Sequence, residues 1–269
     1  PTDADQYSST VIITEDDFAN LVPGGMRVYG LDLGGDHDGD GYPEVVFSRG
    51  STRGGANAPA LFVMESTPAF ATPVVPDSIN QIKNVKAGVD LDGDGAMEFM
   101  SPAVHVVDGV NKRSILVYEN TGDDEYELAW LYTFPGVADQ FTTVDVSDLD
   151  GDGVLEILAA NVRAEGDDDE GPNIYVFENA GDNDYGTEPT VTWDLGSAGR
   201  DVVRVAKAAD LDGDGKQEVV ATSFLTQPAI VVASVSDFDL PVWTTEYVNN
   251  DIGGTAPDIA AIGIGDLDG

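Results

Sequence analysis

The sequence contains no cysteine. Disulfides, thiol nucleophiles and Cys-ligated zinc or iron are therefore excluded. Histidine is nearly absent, with only His37 and His105. No Ser–His–Asp arrangement can be read from the chain. His105 lies in the strand-like run Ala103–Val107, which favours a structural role. Bases are scarce: twelve Lys plus Arg stand against fifty acids, for a net charge of -38. Phosphate backbones and anionic membrane surfaces are repelled by such a chain, so nucleic acid is not an expected partner. Cations are. No apolar run approaches the ~18–20 residues of a membrane span. Long stretches with apolar residues at i, i+3, i+4 and i+7 are also missing, and Glu15–Leu21 supports one short helical turn at most. No signal peptide is visible, and the chain starts at Pro1 rather than Met, as expected of a processed or truncated chain.

What the sequence does hold is a repeat. Hydrophobic residues make up 42 %, enough for a sizeable core, and 31 Gly with 14 Pro suit a fold of many turns. The string Asp-x-Asp-Gly-Asp-Gly-x-x-Glu occurs in full at Asp36–Glu44, Asp90–Glu98, Asp148–Glu156 and Asp210–Glu218. A fifth copy begins at Asp266-Leu267-Asp268-Gly269, where the sequence ends. The first Asp residues lie 54, 58, 62 and 56 residues apart. A fixed motif at variable spacing predicts one structural unit with loops of differing length.

Each unit reads alike. An alternating run precedes the motif (Val144 and Val146; Val203 and Val205). An apolar run follows it (Val45–Phe47, Ile157–Ala159, Val219–Ala221). A third run comes after a polar gap (Ile115–Tyr118, Ile174–Phe177, Ile230–Val232). A fourth, more exposed run carries Trp (Leu128–Leu131, Thr190–Trp193, Pro241–Trp243). Four short strands in about 57 residues is the size of a propeller blade.

The motif has the chemistry of a calcium loop. Calcium takes six to eight oxygen ligands in flexible geometry. Alternating carboxylates can curl round one point, with Gly at the fourth and sixth positions allowing the bend. The seventh residue can lend its carbonyl, and Glu at the ninth can close the shell. The candidate ligands are Asp36, Asp38, Asp40, Tyr42 and Glu44; Asp90, Asp92, Asp94, Ala96 and Glu98; Asp148, Asp150, Asp152, Val154 and Glu156; Asp210, Asp212, Asp214, Lys216 and Glu218; and Asp266 with Asp268 in the incomplete copy. An EF-hand needs Glu at position twelve, which here is Phe47, Ser101, Ala159 or Ala221. Magnesium prefers water-rich octahedral sites. Turn-forming alone does not explain a Glu kept at the ninth position of every complete copy. The second position is Leu in three complete copies and reads as a core plug; His37 is a tolerated variant there rather than a ligand.

The second and third units share a further signature. Val117–Asp123 matches Val176–Asp182, with Tyr126 and Tyr185 at equal offsets. Turn chemistry accounts for it, with Asn and Gly taking the special backbone angles.

These motifs resemble the FG-GAP/VCBS repeat family, whose propeller repeats are related to those of integrin α subunits. The likeness covers roughly residues 26–269. It implies an all-β fold, a β-propeller of four-stranded antiparallel blades, with a calcium loop joining the first and second strands of each blade. Family propellers usually have seven blades and sometimes eight. Residues 26–269 are thus expected to supply four complete blades and the first strand of a fifth, as a partial view of the ring and part of a longer chain. Residues 1–25 are expected to form an outer strand of a preceding blade, at Thr10–Ile13, or an N-terminal extension. About four calcium ions are implied, one per complete loop, and a fifth at Asp266 and Asp268.

The function so implied is adhesion or recognition of an extracellular protein or glycan ligand by a secreted or cell-surface module. The gaps Ser51–Pro59 and Arg163–Pro172 are candidate ligand loops, because propellers present function on loops. A polysaccharide lyase is the alternative, weakened by the scarcity of bases, and a structural subunit of a surface layer or filament is another. Paired carboxylates for glycoside hydrolysis are uninformative where acids are so abundant. The motifs account for 18 of the fifty acids, which leaves 32 against twelve bases. Glu165–Glu170 is one dense cluster and reads as a solvated loop.

Overall fold

The computed structural model describes residues 28–49, 60–65, 70–71, 79–82, 84–135, 142–161, 172–194, 203–223, 230–236, 238–249 and 261–265. The expected strand at Thr10–Ile13, the helical turn at Glu15–Leu21, the cluster at Glu165–Glu170, Asp266 with Asp268, and nearly all of both candidate ligand loops lie outside them.

Among the described residues there is no helix. Strands gather into four sheets in chain order. Blade 1 comprises β1 (Val28–Gly35), β2 (Glu44–Arg49), β3 (Leu61–Met64) and β4 (Phe70–Ala71). Blade 2 comprises β5 (Ile79–Ile82), β6 (Lys86–Val89), β7 (Glu98–Val107), β8 (Val110–Gly122) and β9 (Glu125–Thr133). Blade 3 comprises β10 (Thr142–Ser147), β11 (Glu156–Asn161), β12 (Ile174–Glu178) and β13 (Val191–Trp193). Blade 4 comprises β14 (Val203–Ala209), β15 (Glu218–Ser223), β16 (Ile230–Val235) and β17 (Trp243–Asn249). Every pairing is antiparallel. In blade 2 both β5 and β6 pair with β7, so they act as one first strand interrupted in the middle. The last run of unit four starts as a strand only at Trp243, because Pro241 has no N–H to give a ladder.

The sheets pack face to face through three cores. Val46, Leu61 and Val63 of blade 1 meet Phe99, Leu116 and Tyr118 of blade 2. Met100, Ile115 and Val117 of blade 2 meet Ile157, Tyr175 and Phe177 of blade 3. Leu158, Ile174 and Val176 of blade 3 meet Val203, Val219 and Val235 of blade 4. Successive side chains of a strand point to opposite faces. A blade with a neighbour on each side therefore buries every residue of a strand, as β12 does over Ile174–Phe177. Blade 4 has no described blade beyond it, and β16 alternates between buried and half-buried residues. Full burial of one such side chain is worth about 1.5–3 kcal/mol, so the seams hold the array together.

First strands interlock as well. Asp32 Oδ2 accepts the N–H of Ala87 at 3.0 Å, and Asp145 Oδ2 accepts that of Ala208 at 3.2 Å. Lys86 Nζ lies 3.4 Å from Asp145 Oδ1. Blades 1 and 2 approach so closely here that a Cβ on Gly88 would sit 2.2 Å from the carbonyl oxygen of Gly34. Only glycine fits at Gly88, and at Gly30, where a Cβ would sit 2.5 Å from Asn84 Cα, the same holds.

Candidate metal centres

All four complete motifs join the first strand of a blade to its second. Their fourth and sixth residues are Gly with positive φ throughout, from 78° at Gly39 to 98° at Gly95. Other L-residues avoid that region, so these glycines set the curl. The curl then turns backbone N–H groups onto the Asp carboxylates. In the third loop, Gly151 N and Gly153 N donate to the two oxygens of Asp148 at 2.8 and 3.0 Å. Asp152 N donates to Asp150 Oδ1 at 3.1 Å, and Val154 N to Asp152 Oδ1 at 2.7 Å. The first and fourth loops repeat this set. At the seventh position, Tyr42 and Ala96 likewise donate to Asp40 and Asp94, and Lys216 to Asp214.

The ninth residue behaves differently. Glu44, Glu98, Glu156 and Glu218 each open the second strand of a blade and are buried. One oxygen, Oε2, accepts the N–H of the second loop residue: His37, Leu91 at 2.5 Å, Leu149 at 2.6 Å and Leu211 at 2.7 Å. The other oxygen of Glu44, Glu98 and Glu156 is buried with no hydrogen-bond partner. Burial pushes Glu44 up to about 7 and Glu98 and Glu156 up to about 8, and the neighbouring Asp charges push the same way. Glu218 is raised for the same first reason.

Carboxylate oxygens of Asp36, Asp38, Asp40 and Glu44 come within 4.8 Å of one another, as do those of Asp148, Asp150, Asp152 and Glu156. In the second and fourth loops the convergent groups are Asp90, Asp92 and Glu98, and Asp210, Asp212 and Glu218. Asp94 and Asp214 stand outside them. An ionised carboxylate buried with one oxygen lacking any donor, beside two or three like charges, is strongly disfavoured. A cation would complete that oxygen and cancel the repulsion, so these residues fit an ion held by oxygen ligands.

The second loop residue plugs a core. Leu91 and Leu149 are buried, and His37 is buried in the corresponding place with its ring edge-on to Tyr126, 6.3 Å between centroids. Its burial lowers its pKa. His105, in β7, is half-buried, and its Nδ1 meets Thr133 Oγ1 at 3.1 Å, as a structural role requires.

The signature shared by units two and three does more than turn the chain. The turn between β8 and β9 docks on the first loop, where Asp124 N donates to Asp38 Oδ2 at 3.3 Å. The turn after β12 docks on the second loop, where Asn183 N donates to Asp92 Oδ2 at 2.8 Å. Both donors have positive φ, 57° and 54°. In unit two the left-handed residue is thus Asp124, not Asn120 or Gly122; Asn120 donates its amide to Gly122 O at 2.9 Å instead. The sequence signal for this docking was the restriction of the signature to units two and three.

Neither the curated proteins nor the solved structures yield a match to this chain. The family model described as FG-GAP-like repeat matches residues 104–159. That segment runs from within β7 to within β11 and contains the whole third loop. The chain therefore carries an FG-GAP-like repeat, folded as part of an array of four-stranded antiparallel blades.

Proposed function

We propose that the protein is a calcium-binding β-propeller module that works outside the cytoplasm in adhesion or ligand recognition. One observation carries the reading. Four successive blades each gather carboxylates at the same loop, and three of these loops bury a closing oxygen that has no partner. Hard oxygen donors in a flexible curl suit calcium, and modules of the extracellular space bind it with Kd of roughly 10⁻⁴–10⁻³ M. Bound calcium supplies positive charge where the chain has too little of its own. Asp36, Asp38, Asp40 and Glu44, with their counterparts in the other loops, would hold it, and the carbonyls of Tyr42, Ala96, Val154 and Lys216 would complete the shells. The four blades are part of a β-propeller ring. A protein or glycan ligand outside the cell would bind the loops at 51–59 and 163–172.

The test is calorimetric titration with calcium, together with melting in calcium and in EGTA. Several binding sites and a melting temperature lowered by chelation are expected, since an ion bound only by the folded state stabilises it. No binding heat and identical melts would sink the reading.

A further inference from the structure

Blade 3 reaches over the second loop of blade 2. Its turn brings Asn183, whose N–H bonds Asp92, and whose side-chain amide donates to Glu119 Oε2 and, at 3.1 Å, to Asp182 Oδ1. Asn179 Nδ2 donates to Leu91 O at 3.4 Å. Trp130 of blade 2 returns the contact, with Nε1 donating to Gly186 O at 2.9 Å. Beneath this turn lies Tyr185, 1 % exposed, with its ring edge-on to Trp130 at 5.5 Å between centroids. Its hydroxyl is buried and has no hydrogen-bond partner. What surrounds it is acidic: burial and then the charges of Glu98, Asp92, Glu119 and Asp94 all raise its pKa. A buried hydroxyl left unpaired is costly. Packing needs only a ring at this position, and Phe would supply one.

We propose that the second cation site is shared by two blades: blade 2 supplies Asp90, Asp92 and Glu98, and blade 3 supplies two positioning residues, Asn183, whose N–H holds Asp92 Oδ2 at 2.8 Å, and Tyr185, whose buried, unpartnered hydroxyl lies under the same turn. The first site follows the same plan. Tyr126, beside the turn of blade 2 that docks on the first loop, packs edge-on against His37 of that loop, and its buried hydroxyl likewise has no partner. An ion at either site then ties two blades together, and the strength of its binding depends on the seam being closed. This rests on the reading of the loops as calcium sites.

Calcium titration of the whole chain, wild type against Tyr185→Phe, tests it, with melts in EGTA and in calcium. Partners that orient a metal ligand typically contribute 10–100-fold in affinity. One calcium site in Tyr185→Phe should weaken by roughly that factor. The EGTA melt should hold steady or rise, because an unpaired buried hydroxyl is removed. The gain in melting temperature on adding calcium should shrink. Unchanged affinity at every site overturns the proposal. So does an equal loss of melting temperature with and without calcium, which would mark a packing role alone. A wild-type chain that binds no calcium removes the loop reading itself, and this inference with it.

Discussion

The second and fourth loops carry the same motif and meet different surroundings. Leu91 is 2 % exposed, whereas Leu211, at the same position, is 48 % exposed. Glu98 rises to about 8 under a following blade; Glu218 is raised as well, with no described blade following its own. The glycine angles are alike in both, and so are the N–H bonds of Gly93 and Asp94 and of Gly213 and Asp214. The motif therefore builds the loop and buries its Glu, and the following blade decides how far the plug and the Asp residues are covered. Depth matters because desolvation is what makes an unneutralised carboxylate costly.

The largest expected contrast lies in the plug. Leu91→Ala should destabilise by about 2–5 kcal/mol, as a buried Leu truncation does. Leu211→Ala should stay within about 0.5 kcal/mol. Urea unfolding in calcium measures both, and similar values would dissolve the contrast.

A second contrast is in pH. In calcium-free protein the folded Glu98 keeps its proton up to about pH 8 but in the unfolded chain loses it near 4.5. The folded state thus binds more protons across this window, and stability falls as pH rises through it. The benefit is complete below about pH 4.5 and gone above about pH 8. Self-repulsion of a chain with net charge -38 acts in the same direction. The informative quantity is therefore the difference between variants. Glu98→Gln should flatten the EGTA melting curve against pH more than Glu218→Gln. Equal flattening would show that the covering blade is irrelevant to these acids.

The smallest effect is expected at the turn. Asn183→Gly keeps the left-handed backbone and its N–H but loses the side-chain bonds to Glu119 and Asp182. A loss of about 0.5–1.5 kcal/mol is expected from the missing hydrogen bond. It should be visible in melts in calcium, and a gain would mean that the amide is strained rather than useful.

Most of the fold was legible in the sequence because its signals are short-range. Gly39 and Gly41 take positive φ, and their N–H groups find Asp36 only three and five residues away. Alternation in β10 and β14 and the apolar runs of β11, β12 and β15 follow from the two-residue period of a strand. The convergence of Asp36, Asp38, Asp40 and Glu44, and of Asp148, Asp150, Asp152 and Glu156, is equally local, whereas Asp94 and Asp214 stay outside their converging groups. The signature at 117–123 and 176–182 specifies a turn locally and nothing of what that turn touches.

What the sequence determined by itself is the loop: its glycine angles, its Asp-to-backbone bonds, and the placing of a Glu at the head of each second strand. All of these are decided within nine residues. Tertiary structure alone decided which loops are covered, that the turns beside Tyr126 and Tyr185 dock on the loop of the blade before, and that Leu211 is left half in solvent. The bonds that do this join residues 86 and 91 positions apart. No local pattern specifies them, because they form only once adjacent sheets have stacked and buried their facing side chains.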